Sequence, residues 1–279
     1  LTANDDKIED SLKQIEELLA LRPHHQRGLY IQAFLYKEMD RLDDALEVTQ
    51  RALEIDPNNW QLQRLTGSLH WDIGCGHAAL KAYDRAISQQ PTDPYSWYYK
   101  GYVLYRMKRY KEALPCLERA QSLQPDSSFI LNQKGFCLEH LGRTREAVAA
   151  YQLSARLQPQ ELRTQEYLGQ ALQSLGDLER ALRVFDGILR VSPMRESALF
   201  QRADILCEMQ RWSEAIAAYD AYLIRYADSF RAWFNCGLCH RHDDNPKAAA
   251  DCFRRALRLR PESRSARAEL EHCLRLMSP

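Results

Sequence analysis

Small residues, bulky apolar residues and prolines recur along this chain at a single spacing of 34. Prolines stand at Pro23, Pro57, Pro91, Pro125, Pro159, Pro193 and Pro261, and Ala227 holds the remaining place in that series. Twelve residues before each place comes a small residue: Ser11, Ala45, Ala79, Ala113, Ala147, Ala181, Ala215 and Ala249. Twenty-four before comes a second small series, Ala33, Gly67, Gly101, Gly135, Gly169, Ala203 and Gly237. Eight before comes a mostly bulky one, Ile15, Thr49, Tyr83, Leu117, Tyr151, Phe185, Tyr219 and Phe253. Four independent series with one period mark internal repeats.

Each period predicts a pair of helices. Small residues at two fixed places let the helices of a pair cross closely, and the bulky position is expected to fill the gap between neighbouring repeats. The proline falls just past the second helix, where its missing N–H costs nothing. Gly142-Arg143, Gly176-Asp177 and Asp244-Asn245 predict the turns within pairs. Three departures predict local weakness. Gly76 stands where other periods carry Leu or an aromatic, which predicts a looser pair. Pro115 lies inside a second helix, which predicts a kink. Tyr222 and Ala227 replace the usual small residue and proline, which predicts a local bend.

The segments Trp97-x-x-Lys100-Gly101-x-x-Leu104 and Trp233-x-x-Cys236-Gly237-x-x-His240, with the alanine and bulky positions that follow them, resemble the tetratricopeptide repeat family. The resemblance implies an all-α, right-handed superhelical solenoid of antiparallel helix pairs. Seven repeats fit residues 26–263, as 26–59, 60–93, 94–127, 128–161, 162–195, 196–229 and 230–263. Residues 1–25 read as a truncated N-terminal repeat or capping helix with Ile8, Leu12, Ile15 and Leu19 on one face, and residues 264–279 as a C-terminal capping helix. There Glu271 puts a charge at the close-approach position, so nothing is expected to pack on it.

In that family a concave groove is lined by the second, fifth, ninth and twelfth or thirteenth residues of each repeat, a spacing that keeps them on one helical stripe. The stripe carries Tyr30 and Phe34, then Arg64, Ser68 and Trp71, then Tyr95, Tyr98, Tyr102 and Tyr105, then Phe129, Asn132 and Phe136. Six of the eleven residues from Tyr95 to Tyr105 are aromatic, and four of those lie on the stripe. Trp97, Tyr99 and Leu104 are expected to fill space between helices instead. Further on the stripe turns polar: Arg163, Glu166, Gln170, Gln173, then Phe200 and Asp204, then Arg231, Phe234 and Arg241. The carboxylate clamp of chaperone-binding members is missing, with Tyr99, Phe129 and Gln133 where Asn, Lys and Arg are wanted. Only Asn235 occupies the place of an asparagine ladder.

Composition narrows the partner class. The 279 residues carry 38 Lys plus Arg against 38 Asp plus Glu, a net charge of zero that argues against a nucleic-acid partner. No run approaches the ~18 apolar residues that would insert into a membrane. Eight scattered cysteines suit buried thiols in a reducing, cytoplasmic setting better than a disulfide scaffold. Residues 254–267 hold six Arg against one Glu, while residues 1–25 hold six acids against three bases, which allows self-association through opposite ends.

Cys236-Gly-Leu-Cys239-His240 spells a haem-attachment signature, and with His242 and Cys252 it suggests zinc. Its positions coincide with inter-helix packing places, so the cysteines are read as small hydrophobes and no cofactor or metal is expected. No phosphate loop, GxSxG or HExxH is present. The reading is a non-enzymatic scaffold that binds a peptide or protein segment in an aromatic groove. The alternative is a recruiting or targeting arm of a larger enzyme, such as a glycosyltransferase, whose catalytic domain lies outside this chain.

Overall fold

The structure, a computed structural model, describes residues 3–277, so readings of residues 1, 2, 278 and 279 fall outside it. Sixteen helices and no strand occur among the described residues. The chain divides into two compact units, Leu1–Arg143 and Thr144–Pro279. The first holds α1 (Ala3–Leu21), α2 (Gln26–Glu38), α3 (Leu42–Ile55), α4 (Trp60–Asp72), α5 (Gly76–Gln89), α6 (Pro94–Arg106), α7 (Tyr110–Leu123) and α8 (Ser128–His140). The second holds α9 (Thr144–Leu157), α10 (Leu162–Ser174), α11 (Leu178–Val191), α12 (Glu196–Glu208), α13 (Trp212–Leu223), α14 (Phe230–His242), α15 (Pro246–Leu259) and α16 (Arg264–Met277). Each unit is a stack of all-α helix pairs.

The turn inside each pair is built one way throughout. Positive φ falls on Asp40, Gly74, Lys108, Gly142, Gly176, Gln210 and Asp244, 34 residues apart. In each case the next amide closes back on the helix, as Arg41 N–H does on Tyr36 O (2.8 Å) and Arg211 N–H on Leu206 O (3.0 Å). This is a Schellman cap, and it reverses the chain within three residues. At the other end, Asn59 accepts from Leu62 N–H (3.2 Å) and Asp93 from Ser96 N–H (2.8 Å), which starts α4 and α6 where the proline-led turns finish.

Close crossing within a pair rests on a ring or branched side chain seated on a glycine. A Cβ on Gly67 would stand 2.8 Å from the Tyr83 ring, one on Gly101 2.9 Å from Leu117, one on Gly169 2.6 Å from Phe185 and one on Gly237 2.7 Å from Phe253. All four bulky partners are buried. The bulky position therefore closes its own pair, which corrects the expectation that it fills the gap between repeats. Tyr83 does both, since its ring also stacks on Tyr99 of the following helix at 6.0 Å.

The predicted weak points resolve differently. Gly76 is not a loose spot: the Met107 sulfur and the Trp71 ring lie 3.2 and 3.6 Å from where a Cβ would stand, so side chains from α4 and the α6 terminus take that space. α7 passes through Pro115 without a break. Tyr222 is buried against Phe200 (5.3 Å) and Tyr226 (4.8 Å), and α13 stops at Leu223, earlier than the other second helices. α1 places Leu12 and Leu19 in the core with Ile15 packed on it, and Glu271 of α16 is exposed.

Two glycines of adjoining helices give opposite expectations. Gly169→Ala drives a methyl into the buried Phe185 ring and should cost about 1–3 kcal/mol. Gly187→Ala, in the middle of α11 with nothing nearer than 3.8 Å, should stabilise by about 0.5–1 kcal/mol. Urea unfolding of the two variants beside wild type separates these signs.

Candidate partner-binding site

In the first unit the candidate residues lie on α2, α4, α6 and α8. Asp93 and Pro94 start α6 in a fixed register, and the spacing of Tyr95, Tyr98, Tyr102 and Tyr105 then lines them along one face. Tyr98 sits at the centre, edge-on to Phe129 at 4.9 Å and roughly parallel to Tyr102 at 6.3 Å. Tyr95 stacks on Phe129 at 6.2 Å, Trp71 meets Tyr102 edge-on at 6.0 Å, and Tyr105 reaches Phe136 at 6.5 Å. Burial pushes the Tyr98 phenol up to about 12, so it stays neutral. Tyr30, Phe34, Arg64 and Tyr95 line one cavity of about 260 Å³ together with Lys37, Leu65, Ser68 and Tyr99. Asn132 lies on α8, half-buried.

Exposure separates rings that hold the face together from rings offered to solvent. Phe34, Tyr95, Tyr99 and Phe129 keep 38–44% of their surface exposed, while Tyr30, Trp71, Tyr98, Tyr102, Tyr105 and Phe136 are half-buried. Tyr99 does both, packing its ring on Tyr83 of α5 as expected while 38% of its surface stays open. Trp97 is half-buried and donates its ring N–H to Pro91 O (3.0 Å), and Leu104 is core.

Two cations on this face are already matched to carboxylates. Arg64 donates to both carboxylate oxygens of buried Asp93 at 3.1 Å, with its guanidinium over Trp60 (5.2 Å) and Tyr95 (5.5 Å). Lys37 bonds Ser68 and pairs with Asp72 at 3.2 Å. Arg106 donates to the Tyr102 hydroxyl at 2.6 Å. What remains is an aromatic surface on which Arg106 keeps its positive charge, since its partner is a neutral hydroxyl.

The second unit is organised around buried carboxylates instead. Glu166 of α10 accepts from Arg195 (2.5 and 3.0 Å) and from Ser197. Asp204 of α12 accepts from Tyr219, from Arg231 (2.8 Å) and from Asn235 (2.9 Å). Asn235, Glu166 and Asp204 are therefore committed to the scaffold. Phe200 and Arg231 instead line an open cavity of about 570 Å³ with Arg195, Ser197, Gln201 and Tyr222. Ser197 holds the second place of its repeat and so lies on the stripe, whereas the rule passes over Arg195 in the cap before α12, Gln201 beside Phe200 and Tyr222 on α13; the out-of-pattern Tyr222 was the one signal. Gln173 donates to Glu208 (2.6 Å) and Arg241 pairs with Glu269 (2.6 Å).

The arginine-rich C-terminal stretch is engaged locally. Arg254 pairs with Asp251 (2.7 Å), Arg255 lies over Trp233 (4.5 Å), Arg260 over Phe230 (4.7 Å), and Arg267 donates to Pro261 O (2.9 Å). Among the described residues no helix is long and apolar enough to cross a membrane.

Tetratricopeptide-repeat family models match residues 26–59, 138–198, 167–229 and 200–264, and a model for subunit 3 of the anaphase-promoting complex, or cyclosome, matches residues 77–154. The chain belongs to the tetratricopeptide repeat family. No curated protein matches it. Among solved tetratricopeptide-repeat structures, YrrB, "a TPR protein with an unusual peptide-binding site", is 18% identical, with 69% of this chain and 99% of that one covered at a TM-score of 0.60. A tetratricopeptide repeat protein from Parabacteroides merdae is 15% identical over 89% of this chain and 98% of that one, at 0.61. A chain of the APC/C hetero-tetramer Cut9–Hcn1 is 14% identical over 96% of this chain and 52% of that one, at 0.54. At these identities the likeness is one of fold.

The Glu166 contact gives a pH-dependent expectation. Burial alone would raise this carboxyl, but hydrogen bonds from Arg195 and Ser197 outweigh it and hold the group below its ordinary 4.5. A depressed folded-state value contributes stability that is complete above the unfolded value and is lost as pH falls through the folded one. Glu166→Gln should therefore cost about 1.5–3 kcal/mol at neutral pH. That difference should shrink as pH drops below 4.5. Urea midpoints of both proteins from neutral pH down to the acid limit of folding test this; a pH-independent difference contradicts it.

Proposed function

We propose that this tetratricopeptide repeat protein is a non-enzymatic scaffold whose first unit binds an extended protein segment across α2, α4, α6 and α8. The reading extends the division into seven 34-residue repeats at 26–263, with flanking helices at 1–25 and 264–279, as the frame that sets those faces side by side. One observation carries it: Phe34, Tyr95, Tyr99 and Phe129 remain 38–44% exposed, with Tyr95 stacked on Phe129 and Phe34 lining one cavity with Tyr95 and Tyr99. Contiguous exposed aromatics on a hydrophilic protein mark an interaction surface. Tyrosine suits that role, since a rigid ring loses little entropy on binding and its hydroxyl can bond a peptide backbone.

Arg64 and Lys37 are already paired with carboxylates, so the face favours a segment rich in apolar, aromatic or proline side chains, with Arg106, bonded to the neutral Tyr102 hydroxyl, keeping its positive charge beside the rings. YrrB lends support by analogy, as a protein of this fold with a peptide-binding site. Half-buried Tyr98 and Tyr102 hold the face in shape, and the exposed rings make the contact.

A peptide library displayed on phage supplies the probe. The expected result is enrichment of peptides whose affinity falls at least tenfold for Tyr95→Ala combined with Phe129→Ala, the effect of losing interface anchors worth about 1–2 kcal/mol each. Helicity and melting should change little, because these rings are among the exposed ones. Undiminished peptide affinity in a folded double variant would place binding elsewhere on the molecule.

A further inference from the structure

The last helix pair of the second unit carries a cluster that the scaffold reading does not use. Cys236 and His240 stand one turn apart on α14, which puts both on the same face. Cys252 of α15 comes up against them, its sulfur 3.9 Å from that of Cys236. One donor atom from each of the three lies within 4.8 Å of the others. Both cysteines are buried and unbridged. The His240 Nδ1 is shut off from solvent with no hydrogen-bond partner among the described residues. A buried ring nitrogen without a partner is costly, and here, unlike at His70, two thiols stand beside the ring to share an ion with it.

The same geometry dissolves the haem-like motif. Cys239, one of its two thiols, points away to Cys207, whose pKa is lowered by their hydrogen bond. The set that converges is Cys236, His240 and Cys252, from two helices, so it needs no turn between its first two ligands. Other repeats lack it. Five periods earlier His70 occupies the position of His240 and also has a buried, unpartnered Nδ1, but Thr66 and Ala82 stand where the sulfurs would be. At the other equivalent places are Tyr36, Leu104, Leu138, Leu172 and Leu206.

We propose that Cys236, His240 and Cys252 form a binding site for a thiophilic divalent cation, Zn²⁺ above all. Two thiolates and an imidazole are the soft donor set that zinc takes in tetrahedral geometry. With Zn–S bonds near 2.3 Å, the tetrahedral sulfur–sulfur edge is about 3.8 Å, against 3.9 Å between these sulfurs. The imidazole, in the last turn of α14, brings a ring nitrogen within 4.8 Å of both sulfurs. Binding releases one proton from each thiol to solvent, so a 2+ ion joined by two thiolates leaves a neutral centre inside the helix pair. The fourth position is left to water or another small ligand. Such a centre ties α14 to α15 and stabilises the folded state as the ion is taken up.

Cobalt titration of the full chain, kept reduced with a phosphine, tests the site. The expected result is the intense absorption of tetrahedral, thiolate-bound Co²⁺, saturating at one equivalent and displaced by Zn²⁺, with melting raised by several degrees in saturating Zn²⁺. Cys252→Ala and His240→Leu should abolish or sharply reduce both signals. Ala82 and Leu104 hold the equivalent places elsewhere in the chain, so both variants keep residues this fold accepts, and circular dichroism verifies it. His70→Leu should retain both signals. Absence of the cobalt spectrum in folded, reduced wild type overturns the proposal, as does a spectrum that survives either cluster substitution unchanged.

Discussion

The fold depends on a glycine or alanine at one place in each first helix. Where Gly67, Gly101, Gly169 and Gly237 present bare backbone, a ring or branched side chain from the paired helix lies against it at distances no side-chain carbon could share. That contact sets how closely the pair crosses. The pair's inward faces in turn set where the next first helix can lie, so within each unit the first helices lie side by side. The short Schellman turns add the second condition, since each reverses the chain in three residues. Four of the seven achieve this without glycine, at Asp40, Lys108, Gln210 and Asp244.

The period was legible because the constraint is steric and local to each pair: glycine or alanine is all that fits, and the sequence repeats it. The partner of the bulky residue was harder to read. A 34-residue period places Tyr83 equally well on its own pair or on the next, and only coordinates show that it touches both. Tyr98 and Tyr99 make the same point. They are adjacent on α6, and a stripe rule selects the first; yet the first is drawn under Phe129 and Tyr102 while the second keeps part of its surface open to solvent. Which of two neighbours is exposed depends on the rings that adjoining helices bring against them, and no local sequence pattern encodes that.

The polar contacts were least legible. Glu166 and Asp204 lie on the groove stripe and look like ligand-facing acids, but each is consumed by donors from α12, from the turn before it or from helices packed on it. Their partners lie about thirty residues away, one pair further along, and that separation carries no pattern unless the contact is already suspected. The cysteines of α14 are similar: the chain reads as Cys-x-x-Cys, whereas the helix sends its two thiols to different neighbours.

One pair of contacts bears on how such a chain can be assembled from modules. Arg64 reaches Asp93 at the cap of the following first helix, and Glu166 reaches Arg195 at the same relative places, with the signs exchanged. The acid is buried in each. At these two junctions a first helix carrying one sign meets a successor capped with the other. If recombination joined the α4/α5 pair directly to the α12/α13 pair, Arg64 would face Arg195 across a buried junction. Uniform as its backbone period is, the chain carries at these two junctions a syntax of charge: pairs that share a shape are not thereby interchangeable there.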